Sequence, residues 1–387
     1  MAQIQQLLSG STAFYNLLTY QESLQKDFAT EKAPDPLYSY QTESKIWRMV
    51  KKILLILLFP IGLLVLIYRV LQAKFGGMIL QAPKASTPEV CAKMRSQLVN
   101  RYKDGEWKLK RISIQVDDWA LDATIVGKPS TLNNGTWLLF VPGSDKCCES
   151  TLLNQERDLP AILEQIEGNG IYFNYPGVAG SEGVAPNKET LAKACRAVLR
   201  FLEDDVEAKR IVCHGYSLGG GALGSALEEH PLKDDVRYCC VYDHSFSDAA
   251  AVASAQMNSS LAGLVLKSLG WNLDAVNSTK KLKAQQIVIQ TVDSTKLPQG
   301  SNYMDLNDPK LLVSDGSAIQ PEATLAYALL NDPHRPKERQ QIIGVRASHF
   351  APFDAPGGQN QDAFVPYLAR QIKKALGTAP AIAASAA

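Results

Sequence analysis

Arg210-Ile-Val-Cys-His-Gly-Tyr-Ser-Leu-Gly-Gly-Gly-Ala222 is the stretch on which the fold turns. An apolar, strand-like run enters it, and a helix-forming segment leaves it toward Glu229. Between them Gly215-Tyr216-Ser217-Leu218-Gly219 spells G-x-S-x-G. A serine carried on so sharp a strand-to-helix turn sits in a strained backbone conformation, and side chains at Gly215 or Gly219 would collide with the strand and helix beside it. The hydroxyl of Ser217 is then expected above the sheet, at the helix N-terminus. An ordinary glycine-rich turn is the plainer reading. The strand before, the helix after and the extra Gly220 and Gly221 favour a nucleophile elbow.

Outward from this turn, apolar runs recur at 110–116, 121–126, 136–141, 171–175, 210–214, 236–242, 286–292 and 342–346. Helical stretches fall at 152–166, 188–203, 218–229, 250–269, 321–331 and 361–376. This alternation predicts an α/β domain over 105–376 with a mainly parallel sheet of about eight strands and helices on both faces. The first two runs, joined by Asp117-Asp118, predict an antiparallel hairpin at the sheet edge. The 387 residues carry a formal charge of +1, with 46% hydrophobic and 20% charged residues. That balance excludes a disordered chain and supplies no basic field for nucleic acid. Seven cysteines, an odd number in apolar surroundings, read as buried thiols in a reducing compartment rather than a disulfide framework.

A serine hydroxyl needs a base, and the base needs an acid to orient it. His349 follows the last apolar run and is the expected base. Asp293, at the end of Ile287-Val-Ile-Gln-Thr-Val-Asp293, is the expected acid, with Asp243 as its competitor. The oxyanion donors are expected from the backbone N–H of Leu218 and of Ser144, the latter after Pro142-Gly143. No Cys-x-x-Cys or His-Glu-x-x-His occurs, and the loop Asn174–Gly183 lacks both G-x-G-x-x-G and a P-loop lysine. Neither a metal nor a cofactor is therefore expected.

Pro142-Gly143, Asn174-Tyr-Pro-Gly177, Gly215-Tyr-Ser-Leu-Gly-Gly220, a strand-end aspartate and a late histidine together resemble the α/β-hydrolase superfamily over 105–376. More narrowly, the Asn174–Gly183 loop, the elbow and Asp243-His-Ser-Phe-Ser-Asp248, behind an N-terminal apolar run, look like the CHLPS-type hydrolases of Chlamydia and similar secreted effectors of Legionella. Two departures from the superfamily are visible: Pro142 stands where many members have a histidine, and Pro298 lies one residue further from Asp293 than is usual. The resemblance implies a serine hydrolase working through an acyl-enzyme, with a small helical cap at about 245–282. The small apolar side chains of Ala249–Leu269 suit a cover for an acyl chain, so an ester or thioester of a lipid-like acid is the expected substrate. An acyltransferase on the same acyl-enzyme and a non-catalytic binding module that keeps the fold are the alternatives.

The N-terminal region is expected to organise differently. Residues 1–45 are polar, with weak helix at 3–28 and a linker after it, and 76–104 connects to the α/β domain. Within 46–75, Ile53–Tyr68 holds 16 residues without charge. At 1.5 Å per residue this spans about 24 Å, less than the roughly 30 Å of a hydrocarbon core. Extended to Val50–Leu71 it reaches about 33 Å, provided Lys51, Lys52 and Arg69 snorkel. Pro60 and Gly62 fall mid-run, where a kink or a hairpin is expected. Membrane association follows. A hairpin or monotopic insertion keeps both ends cytoplasmic, on the host-cell side for a secreted effector, and agrees with the free thiols. The tail 377–387 is low in complexity and is expected to be disordered.

Overall fold

The computed structural model describes residues 28–354 and 363–378. The expected helix at 3–28 and the tail after Thr378 thus lie almost wholly outside the described residues. In chain order the elements are β1 (Pro36–Tyr40), α1 (Lys45–Leu57), α2 (Ile61–Ile79), α3 (Ala82–Ala85), α4 (Pro88–Tyr102), β2 (Lys108–Val116), β3 (Trp119–Gly127) and β4 (Thr136–Val141). They continue with α5 (Cys148–Leu153), α6 (Leu159–Ile166), β5 (Asn169–Phe173), α7 (Lys188–Arg200), β6 (Arg210–Tyr216), α8 (Leu218–Glu229) and β7 (Arg237–Asp243). The rest are α9 (Ala249–Gln256), α10 (Ser260–Ser268), α11 (Ala275–Lys281), β8 (Gln285–Thr291), β9 (Tyr303–Asp305), α12 (Leu325–Leu330), β10 (Gln340–Val345) and α13 (Phe364–Ala375).

All ten strands form one sheet in the order β1-β2-β3-β5-β4-β6-β7-β8-β10-β9. From β5 through β10 every pairing is parallel, while β2/β3, β3/β5 and β9/β10 are antiparallel. The inner strands are buried on both faces, which is why they read as unbroken apolar runs. Adjacent residues alternate between two cores. Leu139, Cys213 and Cys240 pack toward the side of α7, α8 and α11, and Leu138, Val212 and Cys239 toward α4, α6 and α13. All seven cysteines are free and buried. This is the α/β-hydrolase fold.

Several boundaries differ from expectation for local reasons. The β2–β3 hairpin is not the sheet edge, because β1 pairs outside it, Tyr38 opposite Ile114 and Tyr40 opposite Val116. β1 is short, half exposed and begins at a proline, so it carries no apolar alternation to read. The helix expected at 152–166 is broken where Gln155, Arg157 and Asp158 all take positive φ. The one expected at 250–269 is broken at Asn258, with φ 45°. The resulting pair α9–α10, with α11, fills the cap position between β7 and β8.

Candidate active site

Ser217 joins β6 to α8 with φ 53° and ψ −117°, a backbone conformation that costs free energy for a residue with a side chain. The glycines around it are there for space. A Cβ on Gly219 would lie 2.0 Å from the carbonyl oxygen of Val141, and one on Gly215 would lie 2.7 Å from the Cα of Gly220. The turn is held by the Ser217 N–H donating to the Asp243 carbonyl at 2.9 Å and by the Ser245 hydroxyl donating to the Ser217 carbonyl at 3.1 Å. Ser217 remains half-buried between fully buried neighbours. It lies at the N-terminus of α8, where the first N–H groups have no partner within the helix. Leu218 supplies the first of these.

The loop after β4 crosses beside the serine. A Cβ placed on Gly143 would sit 3.5 Å from Ser217 Cβ and 3.1 Å from the Tyr216 ring, so glycine lets the loop approach without displacing that ring by a few tenths of an ångström. The Tyr175 hydroxyl donates to the Pro142 carbonyl at 3.1 Å. The Ser144 carbonyl accepts from the N–H groups of Gln81 and Ala82, each at 2.8 Å. The peptides on either side of Gly143–Ser144 are thereby anchored, the later one by residues that precede the α/β domain in sequence.

His349 lies after β10 and is 4% exposed. Its ring stands 5.0 Å from that of Tyr216, and the Tyr216 hydroxyl donates to the His349 carbonyl at 2.7 Å. The residue next to Ser217 thus also positions the histidine. Among the described residues there is no hydrogen bond between the Ser217 hydroxyl and the imidazole. Such bonds are commonly long without substrate and tighten when it binds.

The carboxylate facing the imidazole belongs to Asp315, not Asp293. His349 Nδ1 lies 3.1 Å from Asp315 Oδ2, and the His349 N–H donates to the Asp315 carbonyl at 2.9 Å. Gln290 Nε2 donates to the same Oδ2 at 3.1 Å, while the Ser317 N–H and hydroxyl donate to Oδ1 at 2.9 and 2.6 Å. Burial pushes the Asp315 carboxyl up, but His349 and Ser317 outweigh it and hold the group well below the usual carboxylate range. Asp293 instead turns its carboxylate to the N–H and hydroxyl of Thr295, at 2.9 and 2.8 Å on a solvent-accessible turn. After β8 the chain makes an excursion through β9, returns to pair Leu312 with Val292, and only then delivers the carboxylate.

Asp243, the other candidate acid, is fully buried and already committed. Arg157 Nε and Nη2 donate to its two oxygens, each at 2.8 Å, and His214 Nε2 and His244 Nδ1 lie 3.2 and 2.6 Å from them. Burial works against its charge, but Arg157 and the histidines hold it far below its ordinary value. Arg157 also donates through Nη1 to the carbonyls of Ser348 and Ala351, at 3.1 and 2.6 Å. Since the Ser217 N–H rests on the Asp243 carbonyl, one arginine ties the elbow to the loop that carries His349. Sequence reasoning missed Arg157 altogether, because nothing in a short break between two helices marks it.

One group of side chains, Cys91, Cys147 and Glu149, brings metal-type ligand atoms within 4.8 Å of one another. Glu149 is already paired with the buried Arg95 and accepts from Asn174 Nδ2 at 3.1 Å, so the charge there is compensated without an ion.

The sequence pattern of the Chlamydia CHLPS protein family (DUF818) matches residues 23–361. The chain belongs to that family. Among curated proteins none matches it. Among solved structures it is similar to an esterase from Pyrococcus furiosus, at 14% identity over 64% of this chain and 84% of that one, with a TM-score of 0.42. It is also similar to an alpha-beta hydrolase from Vibrio vulnificus, at 14% identity over 67% and 79% with a TM-score of 0.42. A proline iminopeptidase-related protein from Thermus thermophilus is 13% identical over 70% and 99%, with a TM-score of 0.44. Likenesses this distant leave the chemistry of this CHLPS-family chain to its own site.

Proposed function

We propose that the protein is a serine hydrolase that cleaves carboxylic esters or thioesters through an acyl-enzyme on Ser217. The observation that carries this reading is a serine at positive φ between β6 and α8, with a buried histidine packed against the preceding Tyr216 and pinned through Nδ1 by an ionised aspartate. With Nδ1–H directed at Asp315, Nε2 is the remaining ring nitrogen and takes the proton as Ser217 Oγ bonds to the substrate carbonyl carbon. The negative oxygen that develops is received by the N–H of Leu218 and the Gly143–Ser144 backbone. The C–O or C–S bond then breaks, and His349 returns the proton to the leaving alcohol or thiol. Water, deprotonated by the same nitrogen, attacks the acyl-enzyme and frees the acid and Ser217. Asp315 stays ionised throughout and stabilises the imidazolium.

The small apolar side chains of the cap support a substrate whose acid part is an acyl chain. The reduced, buried thiols support a catalytic domain on the cytoplasmic side. A fluorophosphonate probe on the full chain tests the reading: wild type should label and Ser217→Ala should not. Equal labelling of the two would place the reactive group elsewhere and end the proposal. Hydrolysis of p-nitrophenyl esters of graded length tests the acyl preference, which a clear advantage for acetate over octanoate would overturn.

A further inference from the structure

The helix α2 is long and apolar enough to cross a membrane by itself. The packing of its C-terminal half argues against that use. Gln72 and Gly76 are buried, Gln72 Nε2 donates to the Leu269 carbonyl at 2.9 Å, and a Cβ on Gly76 would sit 2.6 Å from the Trp271 ring. Further up, the Tyr68 hydroxyl donates to the Ser268 carbonyl at 2.7 Å. The C-terminal half of α2 is therefore part of the hydrolase domain, seated on the cap. Apart from the Tyr68 bond, Ile61–Leu71 stands exposed or half-exposed, ten steps of 1.5 Å or about 15 Å. That is half of a roughly 30 Å hydrocarbon core.

The other arm is fixed at its base as well. Arg48 on α1 pairs with the buried Asp117 at 3.0 Å, and Lys52 lies 3.9 Å from Asp118, so the β2–β3 turn holds the start of α1. Between these two moorings the chain folds back at Leu58–Pro60. It presents Ile56, Leu57, Phe59, Ile61 and Leu64 at 58–75% exposure. The cap carries an exposed apolar stripe of its own. Leu261, Leu264 and Val265 on α10 lie at i, i+3 and i+4, one stripe of a helix, exposed by 64%, 63% and 37%. The stripe runs toward Ser268, the residue that Tyr68 holds, and Met257 before it is 71% exposed.

We propose that the protein is monotopic: the hairpin tip 53–71 enters a single leaflet, and the α10 stripe with Met257 rests on the same leaflet. The partner is a lipid bilayer surface. Apolar side chains in this number are too exposed for water, the hairpin is half a bilayer deep, and both arms return to one globular domain. The proposal does not depend on the catalytic reading, and no part of its test reads turnover.

The test uses the full chain, tagged at both termini and synthesised in the presence of sealed phosphatidylcholine–phosphatidylglycerol vesicles. Flotation with the vesicles and removal of both tags by added protease are expected. Protection of one tag would mean a full crossing and overturn the proposal. A chain that stays soluble as a dimer would overturn it too, because the apolar surface would then be covered by a second copy. For the cap, Met257→Cys carries a polarity-sensitive dye selectively, since every native thiol is buried. Its emission should shift to the blue on vesicles, and less so in Leu261→Asp/Leu264→Asp, whereas Asn307→Asp, exposed just after the edge strand β9, should leave it unchanged. An unshifted dye on floated protein would remove the cap from the membrane surface.

Discussion

Asp293 and Asp315 sit in nearly identical local structure. Each accepts, at one carboxylate oxygen, the N–H and hydroxyl of the residue two positions on: Thr295 at 2.9 and 2.8 Å, Ser317 at 2.9 and 2.6 Å. Both turns are the self-capping that Asp-x-Ser/Thr makes by preference. What separates them is the other oxygen. At Asp315 it meets the imidazole of His349 and the amide of Gln290, while Asp293 Oδ2 has no such company. Local chemistry makes a turn at both places, and only the neighbours brought by the sheet make one of them a candidate catalytic acid.

The sharpest way to break the comparison is to neutralise each carboxylate in turn. Asp315→Asn should lower kcat for a p-nitrophenyl ester by about 10³–10⁴-fold, because an amide favours the wrong imidazole tautomer. Asp293→Asn should leave kcat within about twofold, and the reverse ranking would return the acid role to Asp293. The second test moves to the loop that presents the imidazole. Arg157→Met leaves the buried Asp243 without its arginine, beside only His214 and His244, and frees the carbonyls of Ser348 and Ala351. About 3–5 kcal/mol of stability should be lost in urea unfolding, whereas Arg157→Lys, which keeps the charge, should lose less.

Acidification sharpens the same contrast. The folded-state value of Asp315 lies below its free value near 3.8, so ionisation favours the folded chain. Its contribution is complete above about pH 4 and shrinks as the pH falls below that value. Asp315→Asn should therefore flatten the acid limb of a stability–pH profile read by circular dichroism, and Asp293→Asn should flatten it less, because that exposed carboxyl is lowered mainly by Thr295 alone. The smallest expected effects come from the capping partners. Ser317→Ala removes one donor to the Asp315 carboxylate and should cost a few-fold in kcat, in line with about 1 kcal/mol per hydrogen bond. Thr295→Ala should cost nothing measurable in activity.

The elbow could be read from sequence because its demands are local. Positive φ at Ser217 and close approach at Gly215 and Gly219 leave few residue choices, and those choices are visible in thirteen letters. The eight apolar runs were legible for a related reason, since strands buried on both faces have no polar side to show. β1 and β9 were not, being short, half exposed and dependent on a neighbour for their pairing. Arg157 was illegible because its value lies in partners 86 and 191 residues away.

The α/β order, the glycine-rich turn at Ser217 and the apolar segment around Pro60 were thus legible in sequence alone, because each rests on backbone geometry or hydropathy within a few residues. Which aspartate meets His349, which arginine joins the elbow to the base loop, and how much of α2 stays clear of the domain were decided only in three dimensions. Those depend on groups that are distant in the chain and adjacent in the fold, and short-range forces leave no mark of such a meeting on the residues around either partner.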